Sequence, residues 1–167
     1  MSEPIVLERG LEAPLLPFER LPVVDFADFL SGRDPLRVAD EIGRACRDVG
    51  FFYLTGHGVP DRLMSEAFAR AQAFFGRPEA EKEQWHISHS PNHRGWFRLF
   101  EENTDPAQTA DRKEGFDLAR DLPLEDPRVR AGLPLHGPNV WPDGDAAFRP
   151  VMEAYYSAMG GLADRLM

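Results

Sequence analysis

Three imidazoles, His86, His89 and His93, fall within one stretch of eight residues, the kind of cluster from which a metal centre can be built. Mononuclear iron of the redox-active kind needs two His and one carboxylate on one side of the ion, with open positions opposite. In sequence this usually takes the form His-x-Asp or His-x-Glu with a second His far away. None of the five histidines meets it: the residues two beyond His57, His86, His89, His93 and His136 are Val59, Ser88, Pro91, Gly95 and Pro138. Pro91 also keeps the three clustered rings off one continuous helix. The sequence therefore predicts no metal ligands in this chain.

Other chemistries are equally short of parts. Gly56-His57-Gly58 lacks the glycine spacing and the Lys-Ser/Thr of a phosphate loop, and no Gly-x-Ser-x-Gly elbow presents a serine nucleophile. His57, between two glycines, is expected to tie a turn together through its ring nitrogens. Cys46 is the only cysteine, which excludes an intrachain disulfide and a multi-cysteine zinc site; its place on an apolar helical stripe predicts a buried structural thiol. One segment stands apart. Arg94, Trp96, Arg98, Glu101 and Glu102 place both signs of charge and an aromatic beside Gly95, and alternate residues of a strand share a face. Arginine grips carboxylates bidentately, so the segment is a candidate binding wall, against the plainer reading of a solvated edge strand with surface ion pairs.

A net charge of -9 and a pI near 5.0 disfavour nucleic acid as a partner. The N-terminus has no basic leader, and no apolar run approaches the ~18 residues of a membrane span, which predicts a cytoplasmic protein.

The elements that must position these residues read as an α+β arrangement. Residues 1–20, with Pro4, Pro14 and Pro17, are expected to form an extended arm. Leu21 to Phe26 reads as a strand opened by a proline, and Asp34-Pro35 as an N-cap and first helical residue. In the helix that follows, Leu36, Ala39, Ile42, Ala45, Cys46 and Val49 are the apolar positions, and Gly50 is its stop. Phe51 to Thr55 is apolar on both faces, which predicts a strand with Phe51, Phe52 and Leu54 buried. Asp61 is expected to cap a helix whose stripe is Leu63, Met64, Phe68, Ala71, Phe74 and Phe75, followed by a polar turn from Glu79 to Trp85. Residues 86–142 predict long loops with two short strands, Arg94 to Phe100 and Lys113 to Leu118. In the last helix Val151, Met152, Tyr155, Met159, Leu162 and Leu166 share a face, and no closing signal follows, so the chain is expected to stop inside a helix.

Taken in order, these motifs resemble the N-terminal region of the isopenicillin-N-synthase-like oxygenases. Leu21-Pro-Val-Val-Asp25 is similar to the family's opening strand, and Cys46-Arg-Asp-Val-Gly-Phe-Phe-Tyr-Leu-Thr-Gly-His-Gly-Val-Pro60 is the most specific block. Phe74-Phe75 with Pro78-x-x-x-Lys82, Arg94-Gly-Trp96, Glu102, Asp111-Arg-Lys-Glu-Gly-Phe116 and Asn139-Val-Trp-Pro142 continue the series.

The resemblance implies the helical and strand region that flanks a double-stranded β-helix, or jelly roll. It divides the chain into the arm (1–20), an N-terminal dioxygenase region (21–147) and the start of a linking helix (148–167). It further implies an iron(II)- and 2-oxoglutarate-dependent enzyme oxidising a small molecule, with iron and cosubstrate held by a C-terminal catalytic domain beyond Met167. Neither would be bound by this chain alone. Arg94, Trp96 and Glu102 are the residues it places nearest a substrate. The competing expectation is a non-catalytic binding module that kept this fold without the metal site.

Overall fold

The computed structural model describes residues 21–103, 107 and 109–167. The expected arm of residues 1–20 lies outside the described residues. The chain folds as two units, Met1–Gly58 and Val59–Met167.

In the first unit, strand β1 (Val23–Asp25) leads through a short helix α1 (Ala27–Leu30) into helix α2 (Pro35–Asp48) and strand β2 (Tyr53–Thr55). The strands pair in parallel, Val23 with Tyr53, Val24 with Leu54 and Asp25 with Thr55. This is the expected strand, helix, strand unit. Asp34 caps α2 by accepting from the Arg37 N–H at 3.4 Å, and Pro35 occupies the first helical position, where a missing N–H is harmless. Gly50, at φ 87°, ends the helix in a conformation that side chains avoid. Gly56 is needed for two reasons, a φ of 60° and the carboxylate of Asp25 lying where a Cβ would sit; that carboxylate accepts from the Ala27 N–H at 3.0 Å.

Burial in this unit departs from expectation. Phe51 is 70% exposed, and Phe52 and Leu54 are only half-buried. The helix packs on one face of the strand pair, the side of Val24, so a run apolar on both faces has cover on one side only among the described residues. Cys46 is exposed rather than buried, and Leu36 is also exposed. The buried stripe of α2 is the narrower Val38 and Ala45 with Ile42 half-buried between them, because a single contact face accommodates one row of side chains.

The second unit begins with α3 (Asp61–Phe75), α4 (Glu79–Lys82) and two 3-10 turns, Glu83–Trp85 and Ile87–His89. Asp61 is the first helical residue and not the cap, which is Pro60. Phe68 is exposed, and Ala67 and Phe74 are the fully buried positions of α3. Strands β3 (Gly95–Phe97) and β4 (Gly115–Asp117) fall inside the two predicted segments and pair antiparallel, with Trp96 opposite Phe116. After the short helix α5 (Pro127–Arg130), helix α6 (Phe148–Leu166) packs on α3. Met159 and Leu166, expected on its buried face, are 38% exposed each; Phe148 and Leu162 are the buried anchors.

The core of this unit is aromatic. Phe74, Trp85, Trp96 and Phe148 are buried together, with Phe116, Trp141 and Met152 packed around them. Phe74 meets Phe116 edge-on at 4.9 Å between ring centroids, and Phe148 lies 5.9 Å from Phe74. Full burial of one such ring contributes roughly 1.5–3 kcal/mol, so α3, β3, β4 and α6 are held mainly by this cluster. Among the described residues no helix is long and apolar enough to cross a membrane.

Candidate functional site

The candidate binding segment runs from Arg94 through β3 to Glu102. Gly95 enters it at φ 119°, and the backbone oxygen of Trp85 occupies the position a Cβ would take. The close approach that glycine permits is therefore to the chain's own backbone, and His86 bridges to Trp96 alongside.

The regular strand is only three residues long, so Arg94 and Arg98 lie on the loops at either end and do not share a face with Trp96. Arg94 is 7% exposed and turns inward. Its Nη1 donates to the backbone oxygens of Asn92 (2.8 Å) and His93 (2.9 Å), and its Nη2 to that of Leu135 at 2.7 Å. One guanidinium thus joins the 92–93 turn, where His93 has φ 62°, to the distant 135 turn, where Leu135 has φ 63°. Its Nε–H is buried without a partner.

Trp96 is 1% exposed, and its indole N–H donates to Glu114 Oε2 at 2.8 Å. Glu102 is on the surface and pairs with Lys113 at 2.5 Å. The three sequence-predicted residues therefore have three separate sets of partners and are not brought to one surface.

Around them lies a charge network. His86, 6% exposed, accepts the Ser88 N–H at Nδ1 and places Nε2 2.9 Å from both oxygens of Glu101. With Nδ1 accepting from Ser88, Nε2 is the ring nitrogen that faces the carboxylate. The backbone N–H of Arg98 at 2.8 Å, followed by the His86 ring, holds the Glu101 carboxyl below the usual range. Arg98 itself grips Glu83 at 2.6 Å, and that contact lowers the Glu83 carboxyl too. His89 and His93 take no part in a shared site: His89 is 6.0 Å from His86 by ring centroids, and His93 lies beside Asp117 at 3.5 Å.

Sequence reasoning missed the buried pair that the Trp96 indole joins. Lys82 is 5% exposed; its Nζ sits 2.5 Å from Glu114 Oε2 and donates to the Phe75 backbone oxygen at 3.2 Å. Both residues stand in motifs already noted, Pro78-x-x-x-Lys82 and Asp111-Arg-Lys-Glu-Gly-Phe116, and a lysine flanked by apolar motif positions was the available signal.

A second feature is a groove of about 480 Å³ along α6, lined by Leu118 to Asp121, Asn139, Trp141 and the α6 residues Met152, Tyr156, Gly160 and Asp164. Asn139 bonds both backbone groups of Ala119, accepting at 3.1 Å and donating at 2.7 Å. Asp121 gathers the Asn139 N–H (2.8 Å), the Trp141 indole (3.0 Å) and Arg149 (3.1 Å). The Asn139-Val-Trp-Pro142 motif is thereby a device that fixes the loop to the start of α6.

Residues 21–144 match the family described as the N-terminal region of the non-haem dioxygenase in morphine synthesis. The chain belongs to this family. Among curated relatives of this dioxygenase N-terminal region, a 2-oxoglutarate-dependent dioxygenase, citB, of Monascus ruber is 35% identical over 83% of this chain and 44% of its own length. A homoarginine-6-hydroxylase, 2-ODD-C23.2, of Arabidopsis thaliana is 31% identical over 88% of this chain and 43% of its own. Among solved structures, a 2OG-Fe(II) oxygenase family protein from Caulobacter crescentus superimposes with a TM-score of 0.69 at 25% identity, covering 87% of this chain and 46% of that one. A full-length Neurospora crassa protein, solved in complex with alpha-KG and thymine, shares the fold with a TM-score of 0.69 at 24% identity, over 88% of this chain and 46% of that one.

The chain thus spans less than half the length of the relatives it matches. The residues present do not fit iron: no histidine has an acid two positions on, and no three His, Cys, Asp or Glu gather as a metal-holding group among the described residues.

Proposed function

We propose that this chain is the N-terminal region of an iron(II)- and 2-oxoglutarate-dependent oxygenase that oxidises a small molecule. The observation that carries the reading is the family match over residues 21–144, joined to relatives that are 2-oxoglutarate-dependent dioxygenases of roughly twice the length. In this reading the ligands for iron and 2-oxoglutarate belong to a jelly-roll region outside these 167 residues, and the protein works in the cytoplasm. No step of the oxidation is assigned to residues of this chain.

What these residues would supply is one wall of the substrate pocket, the Arg94 to Glu102 segment. Trp96 supports it from the core, and Arg94 shapes it by fixing the Asn92, His93 and Leu135 carbonyls. Glu102 is the exposed acid of the segment, whereas Arg94 is turned inward with its Nε–H buried and acts through the turns it joins.

The test is to express the complete gene product with ferrous iron and follow succinate formation from 2-oxoglutarate across a panel of small molecules. Substrate-dependent succinate supports the reading. A complete product that binds no 2-oxoglutarate, as measured calorimetrically, leaves the binding-module alternative standing in its place.

A further inference from the structure

Among the described residues, those other than glycine that adopt a left-handed backbone are His93, Phe100 and Leu135. Histidine tolerates that region better than most residues, and the Leu135 carbonyl is turned onto the buried Arg94. Phe100, at φ 64°, is the bulkiest of the three, and glycine would hold the same backbone without strain.

The strained conformation is held from both sides. The Glu101 N–H donates to the Arg98 carbonyl at 3.3 Å, closing a turn with Leu99 and Phe100 at its tip, and the Phe100 N–H donates to the Asp111 carbonyl at 3.1 Å. The Glu101 carboxylate accepts from the Arg98 N–H at 2.8 Å and lies 2.9 Å from Nε2 of the buried His86. Arg98 is fixed in turn by Glu83 at 2.6 Å. None of these bonds uses the Phe100 ring, and the core does not use it either: Phe100 is 50% exposed and its neighbour Leu99 54%. Backbone strain that the surroundings impose, on a side chain the fold leaves half in water, points to a role for that side chain.

The charges nearby narrow that role. Arg98 is paired with Glu83 and Arg94 is turned inward, so both arginines of the Arg94 to Glu102 segment are committed and an anion finds no unpaired cation on it. A half-hydrated ring gains instead from a second planar ring, through the area removed from water and through offset or edge-on ring geometry.

We propose that Phe100 is a specificity-determining residue whose ring, presented by the turn that Glu101 and His86 brace, packs against a planar, uncharged ring of the substrate. The inference rests on the oxygenase reading above and deepens it by naming the substrate class.

The test needs no natural substrate. In the complete gene product, held under nitrogen with ferrous iron and 2-oxoglutarate, para-fluorophenylalanine replaces Phe100 and its fluorine resonance is followed as a probe is added. The probes are indole, which is planar and uncharged, cyclohexanol, which is uncharged but not planar, and benzoate, which is planar but anionic. Indole should shift the resonance saturably, with an apparent Kd at least about fivefold below those of the other two. By calorimetry Phe100→Gly should weaken indole by at least about fivefold and Phe100→Tyr should retain it, while the melting temperature of the glycine variant stays unchanged or rises because strain is relieved.

A resonance that indole does not move, or benzoate binding as tightly as indole, overturns the proposal. So does a clearly lower melting temperature in Phe100→Gly, since the ring would then be packing for the fold. Indole binding that depends on Phe100 in a product forming no succinate would sink the oxygenase reading and keep the ring contact. Succinate formation with residue 100 silent to indole would do the reverse, so the two failures are told apart.

Discussion

Lys82 and Glu114, thirty-two positions apart in sequence, meet in the second unit with Nζ 2.5 Å from Oε2, and the same oxygen accepts the indole N–H of Trp96 at 2.8 Å. The Lys82 ammonium also lies over the Trp96 ring, 5.1 Å from its centroid. One carboxylate, at the entry to β4, therefore ties the end of α4 to β3. Desolvating a lysine is unfavourable, and the pairing offsets that penalty without making the site a large net source of stability.

Removing one partner is the informative change. Lys82→Met leaves Glu114 with the indole alone, and Glu114→Gln leaves an ammonium in the core; each should destabilise the chain by roughly 2–4 kcal/mol, the buried-pair figure lowered for the partial exposure of Glu114. The double variant Lys82→Met with Glu114→Gln should lose clearly less than the sum. Urea denaturation of the three variants measures the coupling, and strict additivity would show that the pair contributes nothing.

Gly95→Ala should be among the most disruptive single-methyl changes in the chain. It meets the Trp85 backbone oxygen and forces a side chain to φ 119°. A loss of about 2–4 kcal/mol is expected from strain and clash together, against under about 0.5 kcal/mol for Gly132→Ala's clash term, since that site has open space and only its φ of 66° to resist it. Thermal melts of both variants decide whether Gly95 serves the fold.

Much of the architecture is legible in the sequence because it is written in local signals. Asp34-Pro35 and Gly50 bracket α2, Gly56 and Gly58 turn the chain after β2, and the two strand segments near Trp96 and Phe116 pair as short strands. Asp126-Pro127 carries the same cap signal as Asp34-Pro35 and opens α5, a helix hidden inside a stretch whose composition reads as loop. What is not legible is which apolar face finds cover. Phe68, Leu36 and Cys46 follow periodicity, and Phe51 a run apolar on both faces, into positions where no described residue buries them; a pattern counts faces without knowing how many are filled. The Arg94 segment departs for a different reason. Alternation holds only while the chain stays extended, and the strand is three residues long, so Arg94 and Arg98 leave the shared face.

Exposure of that kind predicts chemistry. Cys46 should react with a disulfide reagent in the native chain at a rate close to that of a free thiol, with no denaturant needed. Phe51→Ala should change unfolding free energy by less than about 0.5 kcal/mol while improving solubility, since the ring is already in water. A slow, urea-dependent thiol reaction would place α2 under cover.

Asp126 offers a titration. The Arg128 guanidinium, at 2.8 and 2.9 Å, and then its backbone N–H hold the carboxyl at about 2, down from an ordinary 3.8. A carboxyl whose folded value is depressed stabilises the fold fully above its unfolded value and loses that contribution as pH falls through the folded one. The cap of α5 should therefore hold at about pH 4 and release towards about pH 2. Carboxyl carbon shifts of Asp126 followed by NMR should titrate near 2, and Arg128→Gln should return the midpoint towards 3.8.

Arg94→Lys separates two roles for the most constrained arginine in the candidate wall. Its three bonds to the Asn92, His93 and Leu135 oxygens need a planar fork that reaches in two directions, and an ammonium is a single point that can hold one turn but not bridge both. With hydrogen bonds to charged groups worth about 1.5–3 kcal/mol each and two of the three lost, the variant should lose roughly 3–6 kcal/mol, read from chemical denaturation. Loosening of the 135 turn should appear as faster amide exchange at His136, whose N–H donates to Leu133. In the complete gene product, a role confined to shaping the wall predicts a raised KM that partly recovers at low temperature, where the turn is re-formed. A direct grip on a substrate anion through Nε predicts lost turnover at every temperature, with succinate still released without product. Unchanged stability and unchanged exchange at His136 would mean that the three carbonyl bonds carry no weight in solution.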